Sequence, residues 1–185
     1  MKVLLASESP RRRELLKAIF PAFDVCKTHA NECYKGRSPE DTVKEIAKRK
    51  LRAACYENQS NYDLIIAADT LVYCDGRYLG KPLDNSEAFQ MLTYLAGKTH
   101  SVYSGIAASY MNSEVIVAEK SEVIFHNLTD KEIEEYIYSH NLLDKAGAYA
   151  IQDGVVVCGF SGEYSNIMGL PLNALRNMLI KIGAL

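Results

Sequence analysis

A chain of 185 residues that is 48% hydrophobic and 24% charged can bury a substantial core and has the size of one domain, so a single domain over residues 1–185 is expected. Its formal net charge of -2 excludes the broad basic surface that nucleic-acid binding requires, and confines any phosphate chemistry to a local site. Cys26, Cys33, Cys55, Cys74 and Cys158 form no C-x-x-C pair, which argues against a disulfide framework or a cysteine zinc site, and no apolar run approaches the roughly 18 residues of a membrane span, so the expected location is the cytoplasm without membrane attachment.

Residues 3–6 form a short apolar run suited to a buried strand, and Ser7-Glu8-Ser9-Pro10 then opens a helix to about Ile19. Hydroxyls, helix-start amides and the guanidiniums of Arg11, Arg12 and Arg13 converge there. Such a turn suits phosphate, because N-terminal amides bind anions and arginine offers a planar fork to phosphate oxygens. The alternative is a plain cap with a solvated basic first turn, although three cations there oppose the helix dipole. A second strand is expected over residues 23–27, and Glu32, which follows it, is an acid placed near a cation.

Pro39-Glu40-Asp41 opens a long helix to about Tyr56, with proline and acids in the first turn. Val43, Ile46, Ala47, Leu51, Ala54 and Cys55 define its apolar arc, and Lys50 falls in the middle of that arc. A lysine so placed either snorkels or meets an anion. Residues 64–68 form a buried strand that ends in Asp69-Thr70, the position where ligands sit in open α/β sheets. Asp69 is therefore the first catalytic candidate, able to bind a hard cation or to orient or deprotonate a water.

Cys74-Asp75-Gly76-Arg77 carries a hairpin signal, Gly80-Lys81-Pro82-Leu83-Asp84 is a tight loop holding Lys81, and Asn85 is expected to cap a helix to Leu95. Residues 100–109 and 115–125 read as a long antiparallel hairpin joined by Met111-Asn112-Ser113. Thr129 and Glu132 have capping-box spacing at the head of a helix to Ser139. Residues 148–152 and 155–160 read as short strands around Asp153-Gly154, and residues 172–182 as the closing helix. The total is a mixed α/β fold, and neither the Walker A spacing nor G-x-G-x-x-G occurs.

The ordered motifs Ala-Ser-x-Ser-Pro-Arg-Arg at residues 6–12, Ala-Asp-Thr at 68–70, Gly-Lys-Pro-x-Asp at 80–84, Asp-Lys-Ala-Gly-Ala-Tyr at 144–149 and Gly-Leu-Pro-Leu at 169–172 resemble the Maf proteins. The resemblance runs from Leu4 to Leu172. It implies an α/β fold with an elongated, twisted mixed sheet, flanking helices and a cleft between two lobes, similar to the inosine triphosphate pyrophosphatases. It also implies a house-cleaning hydrolase that cuts nucleoside triphosphates to monophosphate and pyrophosphate with Mg, Mn or Co, in a homodimer. On the matching positions Asp69 is the proton acceptor, Asp69 and Glu32 are the metal-binding acids, Lys50 and Lys81 are further catalytic groups, and Ser7 and Arg12 bind phosphate.

Arg11, Thr70 and Gln152 occupy positions that distinguish branches of the family, and this trio looks like the dTTP/UTP branch. The branch resembling 7-methyl-GTP pyrophosphatases carries Trp, Gln and Glu there, an aromatic face and a carboxylate suited to a cationic purine. A neutral amide at Gln152 donates to and accepts from a pyrimidine edge. Ala150 departs from the glycine frequent in this branch. The alternatives are a pyrophosphatase of 7-methyl-GTP or another modified nucleotide, and a nucleotide-binding regulator of septum formation.

Overall fold

The computed structural model describes residues 1–32, 36, 38–58, 61–111 and 113–185, so Cys33 and the expected turn residue Asn112 lie outside the described residues. The elements run β1 (Val3–Ala6), α1 (Pro10–Leu16), β2 (Asp24–Val25), α2 (Pro39–Asn58), β3 (Leu64–Cys74), β4 (Arg77–Leu79), α3 (Asn85–Leu95), β5 (Thr99–Tyr110), β6 (Ser113–Phe125), α4 (Asp130–Ser139), β7 (Val157–Ser161), α5 (Tyr164–Met168) and α6 (Leu172–Lys181). The mixed sheet has the order β2-β1-β3-β5-β6-β7, and β4 pairs with β3 off that path. Among the described residues no helix is long and apolar enough to cross a membrane.

The chain divides into two compact units, one of residues 1–70, 103–119 and 165–185, the other of residues 71–102 and 120–164. Strands β3, β5 and β6 contribute residues to both. In the first unit β1 pairs in parallel with β2 and, from Val3↔Leu64 to Ala6↔Ala67, with β3. Over this paired stretch β1 and β3 are apolar at every position because both faces are covered. Val3, Leu5, Leu64 and Ile66 pack with Leu16, Leu175 and Leu179, while Leu4, Ala6, Ile65 and Ala67 pack with Ala47, Leu51 and Ala54 of α2. Burying one such leucine is worth about 1.5–3 kcal/mol.

Gly105 of β5 brings α2 unusually close to the sheet, since a Cβ there would lie 2.2 Å from the Val43 carbonyl oxygen. Val43 precedes Lys50 by two helical turns on the same face of α2. The glycine therefore sets the seating of the face that carries the lysine.

In the second unit the end of β3 pairs antiparallel with β4, from Val72↔Leu79 to Cys74↔Arg77. The hairpin turns at Asp75 (φ 45°) and Gly76 (φ 83°), the two left-handed residues that match strand twist. Helix α4 carries the full Thr129–Glu132 capping box. Strand β7 pairs antiparallel with β6 from Glu122↔Ser161 to Phe125↔Val157, with an irregularity at Ile124/Phe125. His100, 1% exposed, shares a hydrogen bond of 2.8 Å between Nε2 and the Tyr149 hydroxyl and meets the rings of Phe125 and Tyr149 edge-on.

Several elements differ from the sequence reading: β2 covers only Asp24–Val25 of the expected residues 23–27, and α5 has no counterpart in it. Helix α1 closes at Leu16, short of Ile19. Asp84 caps α3 in place of Asn85, its carboxylate accepting the Glu87 N–H at 2.8 Å, because a full negative charge suits the positive helix end. Residues 148–152 are not a strand: two short 3-10 turns, Ala146–Ala148 and Ile151–Asp153, replace it. Gly147 (φ 72°), Ala148 (φ 61°) and Gly154 (φ 66°) are left-handed and break any extended run. Finally, β3 does not end at Ala68 but continues to Cys74.

Candidate active site

Parallel pairing between β1 and β3 stops at Ala6↔Ala67, so Asp69 stands two residues beyond the end of β1 although β3 itself runs on. Its carboxylate is nearly enclosed, the residue being 9% exposed. Lys50, 8% exposed, reaches it from α2, with Nζ donating to Asp69 Oδ1 at 2.7 Å. Glu32 Oε1 lies 3.1 Å from the same ammonium, and its side chain is more than half exposed. Lys50 therefore does not snorkel. It bridges two carboxylates, and among the described residues these two contacts leave the third donor of the ammonium unassigned.

Beside this trio a hydrogen-bonded network joins four separate stretches of chain. Arg12 of α1 donates from Nε to the Gly169 carbonyl at 2.8 Å, from Nη1 to the Ala68 carbonyl at 2.9 Å and to Ser7 Oγ at 3.2 Å, and from Nη2 to Thr70 Oγ1 at 3.0 Å. These bonds use four of the five guanidinium N–H groups. Thr70 Oγ1 lies 2.8 Å from Ser104 Oγ, which donates to the Asn166 carbonyl at 3.0 Å. Donation thus runs from Arg12 to Thr70 to Ser104 to residue 166. Burial draws the Arg12 pKa down and the charge of Asp69 opposes that effect, so the guanidinium stays protonated within reach of the acids' field.

Ser7, at the end of β1 and 8% exposed, accepts from Arg12 Nη1 and, at 3.3 Å, from the Ser9 N–H. Both lone pairs of its oxygen are then in use, which leaves the hydroxyl hydrogen to donate. Gly169 adopts φ 109°, and a Cβ there would lie 3.2 Å from Thr70 Oγ1 and 3.5 Å from Arg12 Nε. Arg11 lies on α1, half-buried.

Lys81 and Gln152 belong to the second unit. Lys81 is exposed in the loop between β4 and α3, where the preceding Gly80 carbonyl accepts the Gly147 N–H at 2.9 Å. Gln152 is exposed on the turn Ile151–Asp153. Sequence reasoning missed Ser104 and the backbone of residues 166 and 169 as parts of the network. The one available signal was a serine at the centre of β5, directly before the small and apolar run Gly105-Ile106-Ala107-Ala108.

The two carboxylates that meet Lys50 are hard oxygen donors within hydrogen-bonding distance of one positive centre. Among the described residues no group of three or more His, Cys, Asp or Glu side chains converges on a metal position. A two-carboxylate set of this kind fits a cation such as Mg, which commonly takes one or two carboxylates and fills its remaining positions with water and substrate phosphate.

Residues 2–182 match the family model described as Maf-like protein. The chain belongs to the Maf-like family. It is 41% identical over 177 residues to the dTTP/UTP pyrophosphatase of Bacillus thuringiensis subsp. konkukian (strain 97-27), covering 94% of this chain and 92% of the relative. The dTTP/UTP pyrophosphatase of Bacillus mycoides (strain KBAB4) is similar to the same degree, 41% over 177 residues with the same coverage. Among solved structures, the Staphylococcus aureus Ham1 protein aligns with 98% of this chain and 100% of its own at a TM-score of 0.57. At 16% identity that likeness is one of fold. It sets this member of the family among the mixed α/β folds, as its sequence implied.

Proposed function

We propose that this chain is a nucleoside triphosphate pyrophosphatase that hydrolyses dTTP and UTP to the nucleoside monophosphate and pyrophosphate. The observation that carries the reading is the buried ammonium of Lys50 held between Asp69 and Glu32, in the same unit as a Ser7 hydroxyl with a hydrogen left to donate. The names of the two Bacillus relatives support the substrate assignment.

The reaction forms a bond from a water oxygen to the α-phosphorus and breaks the bond from that phosphorus to the oxygen bridging to the β-phosphate. Lys50 occupies Asp69 Oδ1, so Oδ2 is the atom assigned to take the water's proton. The remaining N–H of Lys50 and the O–H of Ser7 donate to phosphate oxygens, where negative charge builds as pyrophosphate departs. Arg12 adds positive charge and keeps Ser7 and Thr70 in place. A divalent cation, Mg, Mn or Co, would be held by Asp69 and Glu32 and would supply further neutralisation of the phosphate oxygens.

Lys81 is assigned to the phosphate chain and Gln152 to the pyrimidine edge, with Arg11 and Thr70 as the other branch-specific positions. The family match over residues 2–182 supports reading residues 1–185 as a single domain. The reading extends to a homodimer in the cytoplasm, acting on free nucleotides rather than nucleic acid or membranes.

The test is incubation of the purified protein with dTTP, UTP, GTP and 7-methyl-GTP in Mg or Mn, followed by separation of the products. Pyrophosphate with UMP or dTMP is expected. Orthophosphate with a nucleoside diphosphate overturns the cleavage site, and turnover confined to 7-methyl-GTP overturns the substrate.

A further inference from the structure

Gln152 is exposed on a turn of only three residues, whose own hydrogen bonds are Asp153 N–H to the Ala150 carbonyl at 3.2 Å and Gly154 N–H to the Ile151 carbonyl at 3.4 Å. The second of these lies beyond the usual N–H···O range and holds the turn weakly. Two further contacts come from Tyr136 on α4, which is 2% exposed. Its hydroxyl accepts the buried Ala150 N–H at 3.2 Å and donates to Asp153 Oδ2 at 2.6 Å. One oxygen atom thus ties the residue two places before Gln152 to the residue one place after it.

The tyrosine is itself held. The ring of His140 packs on the Tyr136 ring with centroids 4.4 Å apart, and His140 Nδ1 donates to the Tyr136 carbonyl at 3.0 Å. Burial, reinforced by Asp153, pushes the phenol pKa upward, so the hydroxyl keeps its proton and remains a donor. Removing it would leave a buried N–H without an acceptor and Asp153 without its closest donor.

We propose that Tyr136 is a positioning residue for base selection, its hydroxyl clamping residues 150–153 in the conformation that presents Gln152 to the pyrimidine. The inference rests on the assignment of Gln152 to the base edge. A neutral amide distinguishes bases only by the direction of its donor and acceptor, so rotation of the turn blurs the reading without touching the groups assigned to phosphate.

The experiment measures kcat and KM for UTP and CTP in the wild type, Tyr136→Phe, Gln152→Ala and the double variant. Tyr136→Phe is expected to lower the UTP/CTP ratio of kcat/KM by about five- to tenfold, the worth of one hydrogen bond, through the KM for UTP with kcat nearly unchanged. The double variant is expected to match Gln152→Ala, because residues acting through one another are not additive. Asp153→Asn retains an acceptor and is expected to keep the ratio within about twofold, whereas Asp153→Ala loses it.

An altered ratio in Gln152→Ala with an unaltered one in Tyr136→Phe overturns the clamp and leaves the base assignment standing. Equal losses on UTP and CTP in Tyr136→Phe, or additivity in the double variant, also overturn it. An unaltered ratio in Gln152→Ala overturns the base assignment, and the clamp with it. Should Tyr136→Phe fail to fold, the Asp153→Asn and Asp153→Ala pair decides: similar losses in both overturn the clamp.

Discussion

Asp69 and Lys50 form a nearly enclosed ion pair, so substitution of either has two consequences that measurement can separate. Asp69→Asn keeps the shape and an oxygen acceptor for Lys50 but removes the proton acceptor, and turnover of UTP is expected to fall by at least about 100-fold with the fold intact by circular dichroism. A variant with the wild-type rate would remove Asp69 from the chemistry. Lys50→Ala, in contrast, leaves a buried carboxylate uncompensated, a loss of about 3–5 kcal/mol expected from chemical denaturation as well as from activity. Ser7→Ala removes an acceptor of two internal donors along with the proposed donor to phosphate. Its kcat/KM is expected to fall by about tenfold or more, and full retention would confine Ser7 to the framework.

That Lys50 and Asp69 need partners was legible in the sequence, because a lysine inside an apolar arc and an acid directly after an apolar run are anomalies. That Lys50 and Asp69 partner each other was not legible. The pairing depends on where α2 sits on the sheet, and no local pattern encodes that position. The four acceptors of Arg12 were hidden for a related reason. Two of them are backbone carbonyls, at Ala68 and Gly169, and every residue type carries one.

At the scale of elements, the seating of α2 rests on Gly105. In Gly105→Ala the new methyl group meets the Val43 backbone, which cannot swing aside as a side chain would. A loss of about 1–3 kcal/mol is expected. The helix must shift, and with it Lys50, so UTP turnover should fall together with the thermal midpoint. A stable variant of unchanged activity would show that α2 tolerates displacement. The helices and hairpins were readable because caps and turns are local chemistry, as Thr129 with Glu132 and Asp75-Gly76 illustrate. Residues 148–152 were misread because the apolar run Ala148-Tyr149-Ala150-Ile151 has strand composition, while the left-handed backbone at Gly147 and Ala148 that overrides it is a tertiary outcome.

At the scale of the whole molecule, His100 links stability to pH. Burial depresses its pKa from 6.5 to about 4, so the folded protein holds the ring neutral where the unfolded chain would protonate it. Stability from this group is complete above pH 6.5 and is lost progressively as pH falls toward 4. The full loss amounts to about 3 kcal/mol. Unfolding midpoints measured between these limits are expected to fall more steeply in the wild type than in His100→Phe, and parallel curves would show that the ring titrates normally.

Arg12 and the Gly169 carbonyl are separated by 157 positions along the chain. During synthesis the strand carrying Asp69 and the helix carrying Lys50 emerge long before the segment that supplies this acceptor. The scaffold under Ser7 and Thr70 is therefore completed only when residues 166–169 dock. A ribosome-bound chain that stops short of Gly169 leaves this bond of Arg12 unmade, so the brace beneath the phosphate-facing groups waits for that residue to emerge.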